Sequence, residues 1–180
     1  NTYTGGTTVS QGLLNLAGTA GTVVIPAGSL TITGATVTML TNEGQINPNN
    51  ALTINNGGVL NLVGSNTLTS VAFNNFGSTA TPTVAVGTGS LFLTSLTPFT
   101  VVNQDASVSP TVTGTVSLAA GANTISVGSI QIGGRTYTET VSSLVLAGTL
   151  AGAGASLVKT GNGLLQLSGA NVFGGSVRVS

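Results

Sequence analysis

Asn1-Thr2-Tyr3-Thr4-Gly5-Gly6-Thr7-Thr8-Val9-Ser10 aligns without a gap to Asn171-Val172-Phe173-Gly174-Gly175-Ser176-Val177-Arg178-Val179-Ser180. Asn1 meets Asn171, Tyr3 meets Phe173, Gly5 meets Gly175, and Val9 meets Val179. Recurrence at a long fixed period, here roughly 170 residues, marks quasi-one-dimensional proteins whose units stack on their neighbours. The reading that follows is a single segment, 1–180, amounting to about one period of a longer tandem array, with the repeated motif split across 157–180 and 1–12.

The residues between the two copies decide what is stacked. Leu30-Thr31-Ile32-Thr33, Leu52-Thr53-Ile54, Leu60-Asn61-Leu62, Ile125-Ser126-Val127 and Leu165-Gln166-Leu167 alternate apolar and polar residues. Each run is short and closes on Gly, Asn or Ser, as strands bounded by turns do. Thr, Val, Leu and Ile dominate, whereas only 3% of the chain is charged. Helix formers of the Glu, Lys, Gln and Arg type are therefore nearly missing, and β-branched residues favour the pleated surface. The chain reads as all-β.

Two all-β architectures are open: a right-handed parallel β-helix, or a β-sandwich of hairpins joined at links such as Gly133-Gly134. The long period, the short strands and the Asn-rich corners (Asn47-Pro48-Asn49-Asn50, Asn55-Asn56, Asn74-Asn75) favour the β-solenoid. At ~20–25 residues per winding and ~4.8 Å of rise, the chain would give about seven to nine windings in a rod of about 40 Å. Pro26, Pro48, Pro82, Pro98 and Pro110 belong at corners or edges, because proline cannot donate to a strand ladder. The small-residue run from Ala147 to Gly154 implies close backbone packing.

The run Leu157-Val158-Lys159-Thr160-Gly161-Asn162-Gly163-Leu164-Leu165-Gln166-Leu167-Ser168-Gly169-Ala170-Asn171-Val172-Phe173-Gly174-Gly175 closely resembles the autotransporter-associated β-strand repeat of bacterial surface proteins. Asn1 to Gly12, with Asn1, Tyr3, Gly5, Gly6 and Val9, looks like the second half of the same repeat. Leu157, Lys159, Gly161, Gly163, Leu165, Leu167, Ser168, Gly169, Asn171, Phe173 and Gly175 carry the resemblance at the other end. It implies a right-handed parallel β-helix in a secreted or outer-membrane-anchored protein, extracellular or on the bacterial cell surface. Some members carry a translocating barrel, of which this sequence has no strands. Read physically, Gly161 and Gly163 allow tight turning, Leu165 and Leu167 face inward, Gly169 to Asn171 form a corner, and Lys159 is a corner residue bonding nearby carbonyls.

Catalysis is poorly supplied. The acidic residues are Glu43, Asp105 and Glu139, and there is no His or Cys to activate a serine. Glycoside cleavage needs a facing pair of carboxylates, and the spacing of these three suggests none; Arg135 and Glu139 read as a surface ion pair. Tyr3 and Tyr137 have no evident base beside them. No metal-ligand pattern, phosphate-cradling loop or cofactor motif appears. The formal net charge is zero, and Arg135, Lys159 and Arg178 are far apart, so nothing attracts nucleic acid. No apolar run approaches a membrane span.

The expected function is a non-catalytic structural stalk, fibre or adhesin shaft whose main partner is another copy of itself, end to end. A second reading gives it surface-glycan partners, through loops such as Ser78 to Thr83 and Gln104 to Pro110. A third is ice binding through Thr31-x-Thr33, Thr36-x-Thr38, Thr67-x-Thr69 and Thr136-x-Thr138.

Overall fold

The computed structural model describes residues 1–137 and 141–180. Among them there is no helix: short strands wind into a parallel β-solenoid with three faces. Face 1 stacks eight strands in chain order: Thr7–Val9, Ser29–Thr33, Ala51–Asn55, Val71–Asn75, Phe99–Asn103, Gly121–Val127, Ala155–Thr160 and Val177–Val179. Seven windings separate the first from the last, which at ~4.8 Å each makes a rod of about 34 Å.

Face 2 begins with Leu13–Leu16, Thr36–Met39 and Val59–Leu62, continues in residues 83–86 and 111–113, and ends with Ser142–Leu146 and Leu164–Leu167. Two long strands, Thr83–Leu93 and Thr111–Leu118, run through the corner onto face 3. There they meet Asn66–Leu68 on one side and Leu150–Gly152 on the other, and the latter carries Val172–Phe173. All these ladders are parallel, which excludes the sandwich. The one antiparallel pair among the described residues is a hairpin, Ile130–Ile132 against Arg135–Tyr137, turned by Gly133-Gly134.

Alternation produces the core. In Ser29–Thr33 and Ala51–Asn55 the Leu and Ile side chains are buried and the Thr side chains are not. Register then aligns the buried ones: Leu30 stacks under Leu52, then Val71, Phe99 and Ile125. Ile32, Ile54, Phe73 and Val101 form the neighbouring column. Each apolar side chain thus lies between like side chains above and below, at about 1.5–3 kcal/mol per fully buried residue.

Corners need backbone contact that side chains would prevent. Gly114 has φ +79° where the second long strand bends, and a Cβ there would strike the Val86 carbonyl. Gly148 sits against Gly114, and Gly169 against Gly148, so glycines stack up one edge of the rod. Other corners are held by buried amides. Asn50 Oδ1 accepts from Gly28 N–H at 2.8 Å while its Nδ2 donates to Pro26 C=O at 3.0 Å, tying one winding to the one before. Gln45 Oε1 likewise accepts from Gly18 N–H of the preceding winding, while its Nε2 donates to Asn42 C=O within its own. All five prolines lie outside strands. Pro82, Pro98 and Pro110 each precede one and accept a ladder bond on the carbonyl, from Thr111, Val71 and Val145.

Candidate functional site

Three places on the rod have something to offer a partner: its two ends, one corner, and its outer faces. At the far end the repeat motif builds the last windings. Leu157 is buried, and Val177 stacks on it in register; Lys159 follows, carrying Val179. Val177 and Val179 are 56% and 74% exposed because, among the described residues, no further strand stacks on theirs. Leu157, Lys159, Leu165, Leu167, Val177 and Val179 line an apolar cleft of about 310 Å³ there.

The motif residues fall as follows. Leu165 and Leu167 pack partly buried against the core, as does Phe173. Gly161, φ +79°, passes close to the Val127 carbonyl, and Gly163 to that of Gly128. Gly169 is the top of the glycine edge, preceded by Ser168, whose N–H bonds Leu146 C=O. Asn171 Oδ1 accepts from Leu150 N–H at 2.8 Å, an amide bridging two windings as Asn50 does. Gly175 lies against Ala155 and Ser156.

Lys159 differs from the expected corner residue. It lies within Ala155–Thr160, directly above Ile125 in the apolar column, and its ammonium turns back to donate to Gly161 C=O. Burial holds that ammonium below the usual lysine range. Sequence reasoning missed this because Lys159's column position depends on the length of the winding that carries the chain round from Ile125.

At the near end, Thr7–Val9 pairs with residues 30–32, and Gly6 lies against Ser29. Val9 and Leu14 pack against the core, while Leu13 is 62% exposed. Asn1 Nδ2 donates to Val24 C=O at 2.6 Å, and Tyr3 Oη shares a hydrogen bond with Thr7 Oγ1.

The corner between faces 1 and 2 gathers the long excursions. Residues 76–82, 104–110 and the hairpin from Ile130 leave it on consecutive windings. Asp105 joins the first two: Oδ2 accepts from Ser78 N–H at 3.0 Å, and Oδ1 from Ser107 N–H and Oγ–H. Burial pushes its carboxyl up, but these hydrogen bonds outweigh it, so Asp105 titrates below the usual aspartate value. Beneath them Asn75 Nδ2 donates to the buried Asn103 Oδ1 at 3.0 Å.

The carboxylates do not converge among the described residues. Glu43 sits at the corner between faces 2 and 3, accepting from Ser65 N–H beside a groove lined by Thr41, Asn42 and Val63. Asp105 is on another corner, and Glu139 lies outside the described residues, as does any pairing with Arg135. No group of three or more potential metal ligands occurs among the described residues, and no described helix is long and apolar enough to cross a membrane.

The Thr-x-Thr pairs are scattered: Thr31 and Thr33 on face 1, Thr36 and Thr38 on face 2, Thr67 on face 3. Thr136 is in the hairpin, and Thr138 lies outside the described residues. Register creates a different array, from single threonines in successive windings of face 1. No protein-family model, curated protein or solved structure matches the chain.

Proposed function

We propose that this chain is a non-catalytic structural segment of a bacterial surface protein, a rigid β-solenoid stalk or fibre prolonged by stacking winding on winding. One observation carries the reading. The two sequence copies, 1–10 and 171–180, supply the first and last strands of the same face, and among the described residues each end strand has one edge unpaired. Unpaired parallel edges are templates for further strands.

The seats correspond locally. Val177 pairs with Leu157, which follows Ser156; Thr7 pairs with Leu30, which follows Ser29. Superposing the two copies puts Leu157 of one repeat and Leu30 of the next on opposite sides of one shared strand. The apolar cleft at the far end then becomes interior. The resemblance of 157–175 to the autotransporter-associated repeat supports a bacterial-surface setting, and the same end-to-end contact makes a second copy the partner.

Concentration-dependent light scattering tests this. The isolated chain is expected to associate as concentration rises, and Val177→Asp, which puts a charge on the terminal apolar seat, is expected to abolish the association. A monomer at millimolar concentration would remove the support for end-to-end stacking.

The corner excursions favour a second reading, an adhesive module for surface glycans. Asp105 joins two of the loops into one patch that strand propensity does not explain. Binding on a glycan array that disappears when 104–110 is replaced by a short Gly-Ser link would favour it over an inert shaft.

A further inference from the structure

The outer surface of face 1 differs from the rest of the rod in its regularity. Its seven ladders run through eight strands without a register shift. Face 2 has one such shift, between Ser142 and Leu144, and another, between Thr113 and Thr115, falls at its corner with face 3. The unbroken register makes one outward column of Thr8, Thr31, Thr53, Thr100, Ser126 and Thr160, with Ala72 the one interruption. In Ser29–Thr33, Ala51–Asn55, Phe99–Asn103 and Gly121–Val127 the side chains of this column alternate with buried neighbours, so they face away from the core.

The hydroxyls of this column are also unengaged. None bonds to another protein group among the described residues. In the adjoining column, by contrast, Asn55 Nδ2 donates to Thr33 Oγ1 at 3.1 Å and Asn74 Nδ2 to Asn55 Oδ1 at 3.0 Å. A free hydroxyl has one donor and two acceptor sites. Stacking repeats them at ~4.8 Å along the rod, and residues two apart on a strand lie about 6.7 Å apart. Each threonine also carries a methyl group beside its hydroxyl. No residue of the column carries a charge that would order water in shells of its own.

We infer that this face binds ordered water as an ice-binding surface, with the crystal face of ice as its ligand. The column presents hydrogen-bonding groups and methyl groups at a spacing that a lattice of water molecules can match. The backbone ladder holds them there before binding, so little side-chain freedom is lost on contact. The inference is independent of end-to-end stacking, since each winding contributes one rung whether or not a second copy follows.

The test is thermal hysteresis and ice-crystal shaping by the purified chain. The wild type is expected to shape ice and depress its growth temperature. Thr53→Lys in the column is expected to lose both, whereas Thr36→Lys on face 2 retains them; circular dichroism checks that each variant keeps the wild-type fold. Should Thr53→Lys fail to fold, Thr100→Lys, at an exposed rung, takes its place with the same expectation. Absence of ice shaping by the wild type, or its persistence in a folded column variant, would overturn the inference.

Discussion

Through the middle of the rod one inward column reads Leu30, Leu52, Val71, Phe99 and Ile125, every member at most 1% exposed; continued upward it reads Lys159 and Val179, the latter 74% exposed. Both halves obey the same ladder. The difference teaches that register is set by the backbone, whereas burial requires a neighbour on each side. A solenoid is therefore stable in proportion to its interfaces, and its end windings are the weakest.

The sharpest way to break this comparison is to truncate a side chain in each half. Phe99→Ala should destabilise by about 3–5 kcal/mol, since the cavity left among stacked neighbours cannot collapse. Val179→Ala should change stability by less than about 0.5 kcal/mol, as an exposed site does. Urea unfolding measures both, and equal costs would mean that the terminal winding is as well packed as the centre.

The bridging amides offer a second contrast. Asn50→Ala removes two bonds to the preceding winding and strands Gly28 N–H, at about 1–3 kcal/mol. Asn171→Ala, exposed and with one such bond, should cost less than about 1 kcal/mol by the same measurement.

How much of this was legible beforehand follows the range of the interactions. Alternation in Leu30-Thr31-Ile32-Thr33 and Ile125-Ser126-Val127 is local, and it marked strands and inward faces, while the long period, the short strands and the Asn-rich corners pointed to the parallel solenoid. Gly133-Gly134 marked a turn, and Ala147 to Gly154 the close approach at Gly148. What escaped reading depends on winding length, which is shortest from Leu52 to Val71 and longest from Ile125 to Lys159 on this face. Until those lengths are known, no rule places Lys159 over Ile125, gathers the excursions on one corner, or lines Thr8 up with Thr31 and Thr53. The strand that bends through Gly87 and Gly89 was also hidden, because its two halves look like separate elements.

Lys159 allows the comparison to be sharpened from the other side. Lys159→Ile would extend the apolar column by one rung and remove an ammonium that burial disfavours. Its expected effect is a gain below about 1 kcal/mol, together with stronger self-association in light scattering. A loss of stability would mean that the bond to Gly161 C=O matters more than the column.

The smallest effect concerns pH. Asp105 has a folded pKa below its unfolded one, so its contribution is fully present above the unfolded value and is lost as pH falls through the folded one. Thermal melts should be nearly flat from mild acid to mild base and decline only below about pH 4. Asp105→Asn should flatten that decline, and a strong change near neutrality would contradict the account.

The central claim is that successive windings lie parallel and in register. The chain has no cysteine, so spin labels introduced by Thr8→Cys and Thr160→Cys would report on that pair alone. Six windings separate these rungs, and electron–electron resonance should give one narrow distance of about 29 Å at ~4.8 Å per winding. A broad distribution, or a distance under about 15 Å of the kind that two facing sheets ~10 Å apart would give, would contradict it.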